Sequence, residues 1–202
     1  MDKKAEILRC GKELFSTRGF KDTGVADITK MANIAAGTFY LYFSSKENLF
    51  MDLFLEENVK LKQEILAAVD PSGDPLTVIQ DLMQRNMEGI TSNPILREWY
   101  NKEVFAKIEE KYREENGVDH VDFLYTSFIE IVKNWQAQGK LRRDIDSKMI
   151  MAIFSTIIII DEHKEEIGLQ FFPKIQDYLT QFIMKGLTER DPLSANPLES
   201  EE

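Results

Sequence analysis

Apolar residues recur at intervals of three and four along almost the whole chain, and this period predicts helix after helix. Val25, Ile28 and Ala32 form one buried stripe, with Lys30 on the wet side. From Lys46 the stripe Leu49, Phe50, Leu53, Phe54, Leu61, Ile65 and Leu66 predicts one long helix reaching about Val69. Asp70-Pro71-Ser72-Gly73-Asp74-Pro75 breaks it. Further helices are predicted over 76–91, 95–115, 119–138, 146–166 and 171–187, separated by Ser92-Asn93-Pro94, Asn116-Gly117, Gly139 and Gly168. The β-branched run Ile157–Ile160 is ambiguous alone, and the helical pattern on both sides assigns it to helix. The fold class is therefore all-α. Residues 188–202, with two prolines, five acids and one arginine, are predicted to be a disordered acidic tail.

Between residues 23 and 50 the pattern turns a tight corner. Asn33 stands where the chain must leave a helix, and asparagine accepts a left-handed backbone more readily than most residues. Ile34 then returns to the core, and Gly37 keeps the next helix slim at its start, where unpaired N–H groups suit a phosphate oxygen. That helix, about 36–43, carries Thr38, Tyr40 and Tyr42 outward and has little else to bury. Ser44-Ser45-Lys46-Glu47 restarts a helix with a serine cap and an acid in the first turn. A face of hydroxyls and rings beside a lysine suits a sugar-phosphate backbone and base edges.

Residues 5–50 resemble the DNA-binding domain of TetR-type transcriptional regulators. The resemblance rests on Leu14-Phe15-Ser16-Thr17-Arg18-Gly19-Phe20 at the end of the first helix, and on Gly37-Thr38-Phe39-Tyr40-Leu41-Tyr42-Phe43-Ser44-Ser45-Lys46-Glu47-Asn48-Leu49. It implies a three-helix head at 1–46 with a helix-turn-helix, joined by a long helix to a helical effector-binding and dimerisation body at 47–187. Three departures stand out. Asn33 replaces the family's usual glycine, Ala35 and Ala36 replace a serine followed by a cation, and Gly24 replaces a hydroxyl residue. The residues expected to touch double-stranded DNA are Thr23, Gly37, Thr38, Tyr40, Leu41, Tyr42 and Lys46, with readout resting on Thr38, Tyr40 and Leu41.

The net charge of −10 changes meaning once divided along the chain. Residues 1–50 hold eight Lys/Arg against six Asp/Glu, so the acidity belongs to the remainder and keeps that surface off nucleic acid. A head carrying so little positive charge is expected to need two copies on one operator. The single cysteine, Cys10, excludes an internal disulfide framework and reads as a small buried residue beside Gly11, where two helices can approach closely. The N-terminus lacks an apolar leader pattern, and the longest apolar run, Met149–Ile160, falls short of the roughly 20 residues that span a bilayer. A cytoplasmic location is expected.

Apolar residues cover more than one face of the last two helices, through Ile153, Phe154 and Ile157 and through Ile175, Leu179 and Phe182, so these helices are expected to form a homodimer seam. The middle of the chain is rich in large rings. Met83, Met87, Trp99, Tyr100, Tyr125 and Phe128 are the candidates to line a cavity for a hydrophobic or aromatic effector, against the plainer reading that such stripes are core. His120 and His163 lack partners at metal-ligand spacing, and no cofactor or metal is expected. No nucleophile elbow, phosphate loop or catalytic triad order appears. A helical enzyme and an acidic adaptor remain as alternatives to a ligand-responsive repressor, which the resemblance favours and which would bind a palindromic operator as a dimer.

Overall fold

A computed structural model describes residues 2–101, 103, 104, 106, 118–172 and 174–189; of residues 99, 118–125, 158, 161 and 162 it describes the backbone. The described residues form helices and turns, with no strand among them. Their helices are α1 (Lys3–Arg18), α2 (Val25–Met31), α3 (Ala36–Tyr40), α4 (Lys46–Ala68), α5 (Pro75–Ser92), α6 (Val118–Ala137), α7 (Ser147–Glu162), the single turn α8 (Lys164–Ile167) and α9 (Lys174–Thr188). Contacts divide the chain into two compact units. One holds Met1–Ala68 and Gln84–Asp122, and the other holds Val69–Met83 and Phe123–Glu202. The first thus groups α4 with the three short N-terminal helices.

In the first unit Asp2 caps α1 by accepting from the Lys4 N–H at 2.9 Å, and Gly19, at φ 83, ends it. α1 packs on α2 and α4, burying Ile7, Cys10, Leu14 and Phe15. The approach to α4 is close: a Cβ on Gly11 would lie 2.8 Å from Leu49 Cδ2. Phe50 meets the rings of Phe15 and Phe20 edge-on at 5.0 and 4.9 Å, which fixes the start of α4 against the α1–α2 loop. Cys10 is fully buried, and burial pushes its thiol up out of the reactive range.

The helix predicted over 95–115 is corrected over its first residues; 103, 104 and 106 are helical, and most of the remainder lies outside the described residues. Asn93 Oδ1 accepts from the Ile95 and Leu96 N–H groups and opens a 3-10 turn, Leu96–Tyr100, which Asn101 closes in an extended conformation. The Asn101 amide donates back to Glu98 Oε2 at 3.0 Å, so local side-chain bonds take the place of helix continuation. Two other predicted helices are shorter than their patterns. The one over 146–166 stops at Glu162, and the one over 171–187 begins at Lys174, after Phe172, which is extended as expected of a residue that precedes a proline in sequence. Most of the tail predicted over 188–202 lies outside the described residues.

In the second unit Trp135 is fully buried, and its indole N–H donates to the Pro71 carbonyl at 2.8 Å, tying α6 to the loop before α5. Asp74 caps α5 through the Thr77 N–H and hydroxyl, and Pro75 occupies the first helical position. α7 and α9 pack on each other, and Ile150 and Ile157 of the one and Met184 and Leu187 of the other are buried. No described helix is long and apolar enough to cross a membrane.

Candidate nucleic-acid interface

The corner between α2 and α3 is built by backbone. Asn33 adopts φ 52, in the left-handed region, and its N–H donates to the Lys30 carbonyl while that of Ile34 donates to Thr29. Ile28 and Ala32 are buried below, Lys30 is exposed above, and Ile34 packs back onto the core, as the stripe predicts. The carboxylate of Asp27 accepts from the Gly24 N–H at 2.9 Å, closing the front of α2 without a side chain at Gly24.

α3 is held from beneath and bare above. Phe39 is fully buried and Phe43 nearly so, with ring centroids 5.8 Å apart, and these two rings seat the helix. Ala35 begins it with no side-chain cap, the consequence of the missing hydroxyl at that position. Its regular turns end at Tyr40, and the predicted continuation to residue 43 is a tight turn in which the Tyr42 and Phe43 N–H groups both donate to Phe39. On the open side Tyr40 is 56% exposed, Leu41 80% and Tyr42 42%, with Gly37 exposed and Thr38 half-buried beside them. Five of the seven residues expected at the DNA therefore share one accessible face.

The other two do not. Thr23 is 1% exposed and its hydroxyl donates to the Gly19 carbonyl at 2.8 Å, so it locks the α1–α2 loop from inside. Lys46 turns inward as well. Its ammonium donates to the Phe20 carbonyl at 2.8 Å and lies 4.2 Å from the centre of the Phe20 ring, stapling the start of α4 to that loop. Burial takes Thr23 off the accessible surface, whereas Lys46 is half-buried with its ammonium on the Phe20 carbonyl in the free head. Two cations are instead exposed near α3: Lys30 at the end of α2, and Lys4, whose ammonium sits 5.6 Å from the Phe43 ring centre. Lys4 was not singled out from the sequence, because nothing in its local pattern connects it with a helix more than thirty residues away.

A buried charge anchors this head. Glu57 of α4 is 7% exposed and accepts from the Lys12 ammonium of α1 and from the Asn93 amide, the latter at 2.6 Å. Burial opposes its charge, but the bonds from Lys12 and Asn93 outweigh that and hold its carboxyl below the usual range. Five residues further along α4, Lys62 donates to Asn86 Oδ1, and burial pulls its ammonium down to about 8.

Met83 and Met87, both predicted to line an effector cavity, lie one turn apart on α5, and the side chains of Trp99 and Tyr125 lie outside the described ones. Met87, Trp99 and Tyr100 belong to the first unit; Met83, Tyr125 and Phe128 belong to the second. A cavity of about 460 Å³ in the second unit is lined by Ser72, Gly73, Asp74, Pro75, Lys140 and Thr188, and one of about 150 Å³ in the first lies between Glu57, Leu61, Glu64, Gly89 and Asn93; neither takes in those six residues. Of the predicted seam, Phe182 is 67% exposed and Ile153, Phe154, Ile175 and Leu179 are half-buried, with Met149 and Tyr178 exposed nearby in sequence. Ile157 is the exception: it is 1% exposed and serves the internal contact of α7.

Comparison with known proteins agrees with this geometry. Residues 7–53 match the family described as bacterial regulatory proteins, tetR family. The uncharacterised HTH-type transcriptional regulator YhgD of Bacillus subtilis is 35% identical over 72 residues, which span 36% of this chain and 38% of that protein. The chain thus covers little more than a third of that relative. The HTH-type transcriptional repressor KstR2 of Mycolicibacterium smegmatis is 24% identical over 199 residues, covering 89% of this chain and 91% of its own. Among solved structures, the transcriptional regulator FadR of Bacillus subtilis, in complex with stearoyl-CoA, has the same fold, with a TM-score of 0.60 at 16% identity over 91% of this chain and 98% of that one.

Proposed function

We propose that the chain, whose residues 7–53 match the tetR family of bacterial regulatory proteins, is a DNA-binding transcriptional repressor released by a small effector. The observation that carries this reading is the bare face of α3, a helix whose buried residue is Phe39 and which leaves Tyr40 and the adjoining Leu41 and Tyr42 exposed. α3 enters a major groove, with Tyr40 and Tyr42 placing hydroxyls on phosphates and Thr38 and Leu41 facing base edges. Lys4 and Lys30 supply the positive charge beside it.

Two copies act together. Met149, Tyr178 and Phe182 leave apolar surface on α7 and α9 that a second copy covers, giving a two-fold dimer. Two-fold protein symmetry maps onto a palindromic operator whose half-sites lie about 34–36 Å, or one duplex turn, apart or a multiple of it. The helix-turn-helix domain is 1–46 and the effector and dimer domain 47–187, with α4 as the continuous connection. A hydrophobic or aromatic effector held by the body changes the spacing of the two heads, and ligand and DNA then oppose each other by linkage. The ligand contacts assigned to Met83, Met87, Trp99, Tyr100, Tyr125 and Phe128 belong to the bound state of this proposal.

The test is a titration of the chain's own upstream DNA by fluorescence anisotropy at several salt concentrations. Binding that weakens steeply with salt is expected, since each neutralised phosphate releases counterions. Absence of salt-dependent binding at micromolar protein overturns the reading.

A further inference from the structure

The outward face of α3 carries a restricted chemistry. From Ile34 to Phe43 the chain has no charged and no amide side chain. Phe39 and Phe43 are buried, and what remains in reach of a partner is Ala35, Ala36, Gly37, Thr38, Leu41 and the two tyrosines. Guanine is read in the major groove by Arg or Lys on O6 and N7, and adenine by Asn or Gln on N6 and N7. This helix offers neither kind of group. The amide nearest in sequence is Asn33, which lies in the left-handed corner before the helix and not on it. The face instead presents methyl groups, an isobutyl group and hydroxyls. One major-groove feature answers to an apolar group, the C5-methyl of thymine.

We propose that Leu41, with the methyl groups of Ala35, Ala36 and Thr38, reads thymine C5-methyl groups, so that the half-site is specified by T·A pairs and their methyls. Leu41 is the element of this set that reaches furthest, at 80% exposure just beyond the last regular turn of α3. The tyrosine hydroxyls contact phosphates and position the helix without choosing a sequence. This inference rests on the head being a DNA-binding domain, and its test separates the two.

The full-length protein is used to select binders from a pool of randomised duplexes, and the enriched duplex is remade with single dT-to-dU replacements, which remove the methyl and leave every hydrogen-bonding edge in place. Each methyl in contact is expected to cost about fourfold in Kd, the gain from burying one such group. Leu41→Ala is expected to weaken the thymine duplex by a similar factor and to lose nothing more when the thymine facing it is already dU. Leu41 has little to bury, so the variant keeps its helical circular dichroism and thermal midpoint. Enrichment of a duplex whose dU series all bind as tightly as the parent overturns methyl readout while leaving DNA binding intact. So does a half-site fixed by guanines. No enrichment at all overturns both the inference and the function beneath it.

Discussion

At Gly37 the demands of folding and of DNA binding point in opposite directions, which makes Gly37→Ala informative. A Cβ built on Gly37 meets no atom within 4 Å, and the residue is exposed inside a right-handed helix, outside the positive-φ region. Alanine therefore adds no clash in the free protein. It removes backbone freedom from the unfolded chain, which stabilises by about 0.4–1 kcal/mol. For a chain of this size each kcal/mol moves the thermal midpoint by roughly 2–4 °C, so a rise of about 1–4 °C is expected by differential scanning calorimetry. On DNA the same methyl enters the space between the start of α3 and the groove. Overpacking a close contact costs about 1–3 kcal/mol, or roughly 5- to 150-fold in Kd by anisotropy. A variant that melts higher and binds DNA at least fivefold more weakly meets the expectation. One that binds as tightly as the parent refutes the close approach of this helix start to the duplex, and one that melts lower refutes the local structure.

Four further outcomes follow from the contacts. Lys46→Ala destabilises the fold by about 1–2 kcal/mol through loss of the Phe20 carbonyl bond and ring contact, while the slope of DNA affinity against salt is unchanged. Glu57→Gln removes a charge that Lys12 and Asn93 stabilise and costs about 1–3 kcal/mol at neutral pH. Because the Glu57 carboxyl is held low in the fold, its contribution is present at neutral pH and is lost on acidification through the range from about 5 downward, a loss that the Gln variant lacks in urea melts. Lys62 behaves in the opposite sense: the fold disfavours its charge, so stability rises as pH climbs past about 8 toward 10, and Lys62→Met abolishes that rise and stabilises at pH 7. Phe182→Glu leaves the subunit folded, since the ring is largely exposed, and sedimentation shows monomers where the parent gives dimers.

The parts legible in the sequence are those whose causes are local. The apolar period sets α2, α4, α5 and α6 to within a few residues, and Asn33 marks the corner because its backbone tolerance is a property of the residue itself. The roles of Thr23 and Lys46 within the fold are hidden for the opposite reason. A hydroxyl and an ammonium near a helix start suit a phosphate in any sequence, and only the fold brings the Gly19 and Phe20 carbonyls to them. The break at Asn101 was hidden because a side-chain bond to Glu98 competes with a helix that the apolar pattern alone supports. Glu57 reads as one of many surface acids until α1 and Asn93 close over it. The apolar arcs on α7 and α9 are legible in the sequence, but the sequence alone does not divide Ile157, which is buried, from Phe182, which is largely exposed.

The central claim is that two copies of this chain read one duplex together. Native mass spectrometry of the protein with the duplex it enriches from a random pool measures that directly, by counting protomers on each DNA molecule. Two protomers per duplex across the titration, or four where two dimers share a site, with complexes of one protomer scarce throughout, is the predicted result. A ladder that begins with single protomers and fills one at a time, or duplex that stays bare, contradicts it.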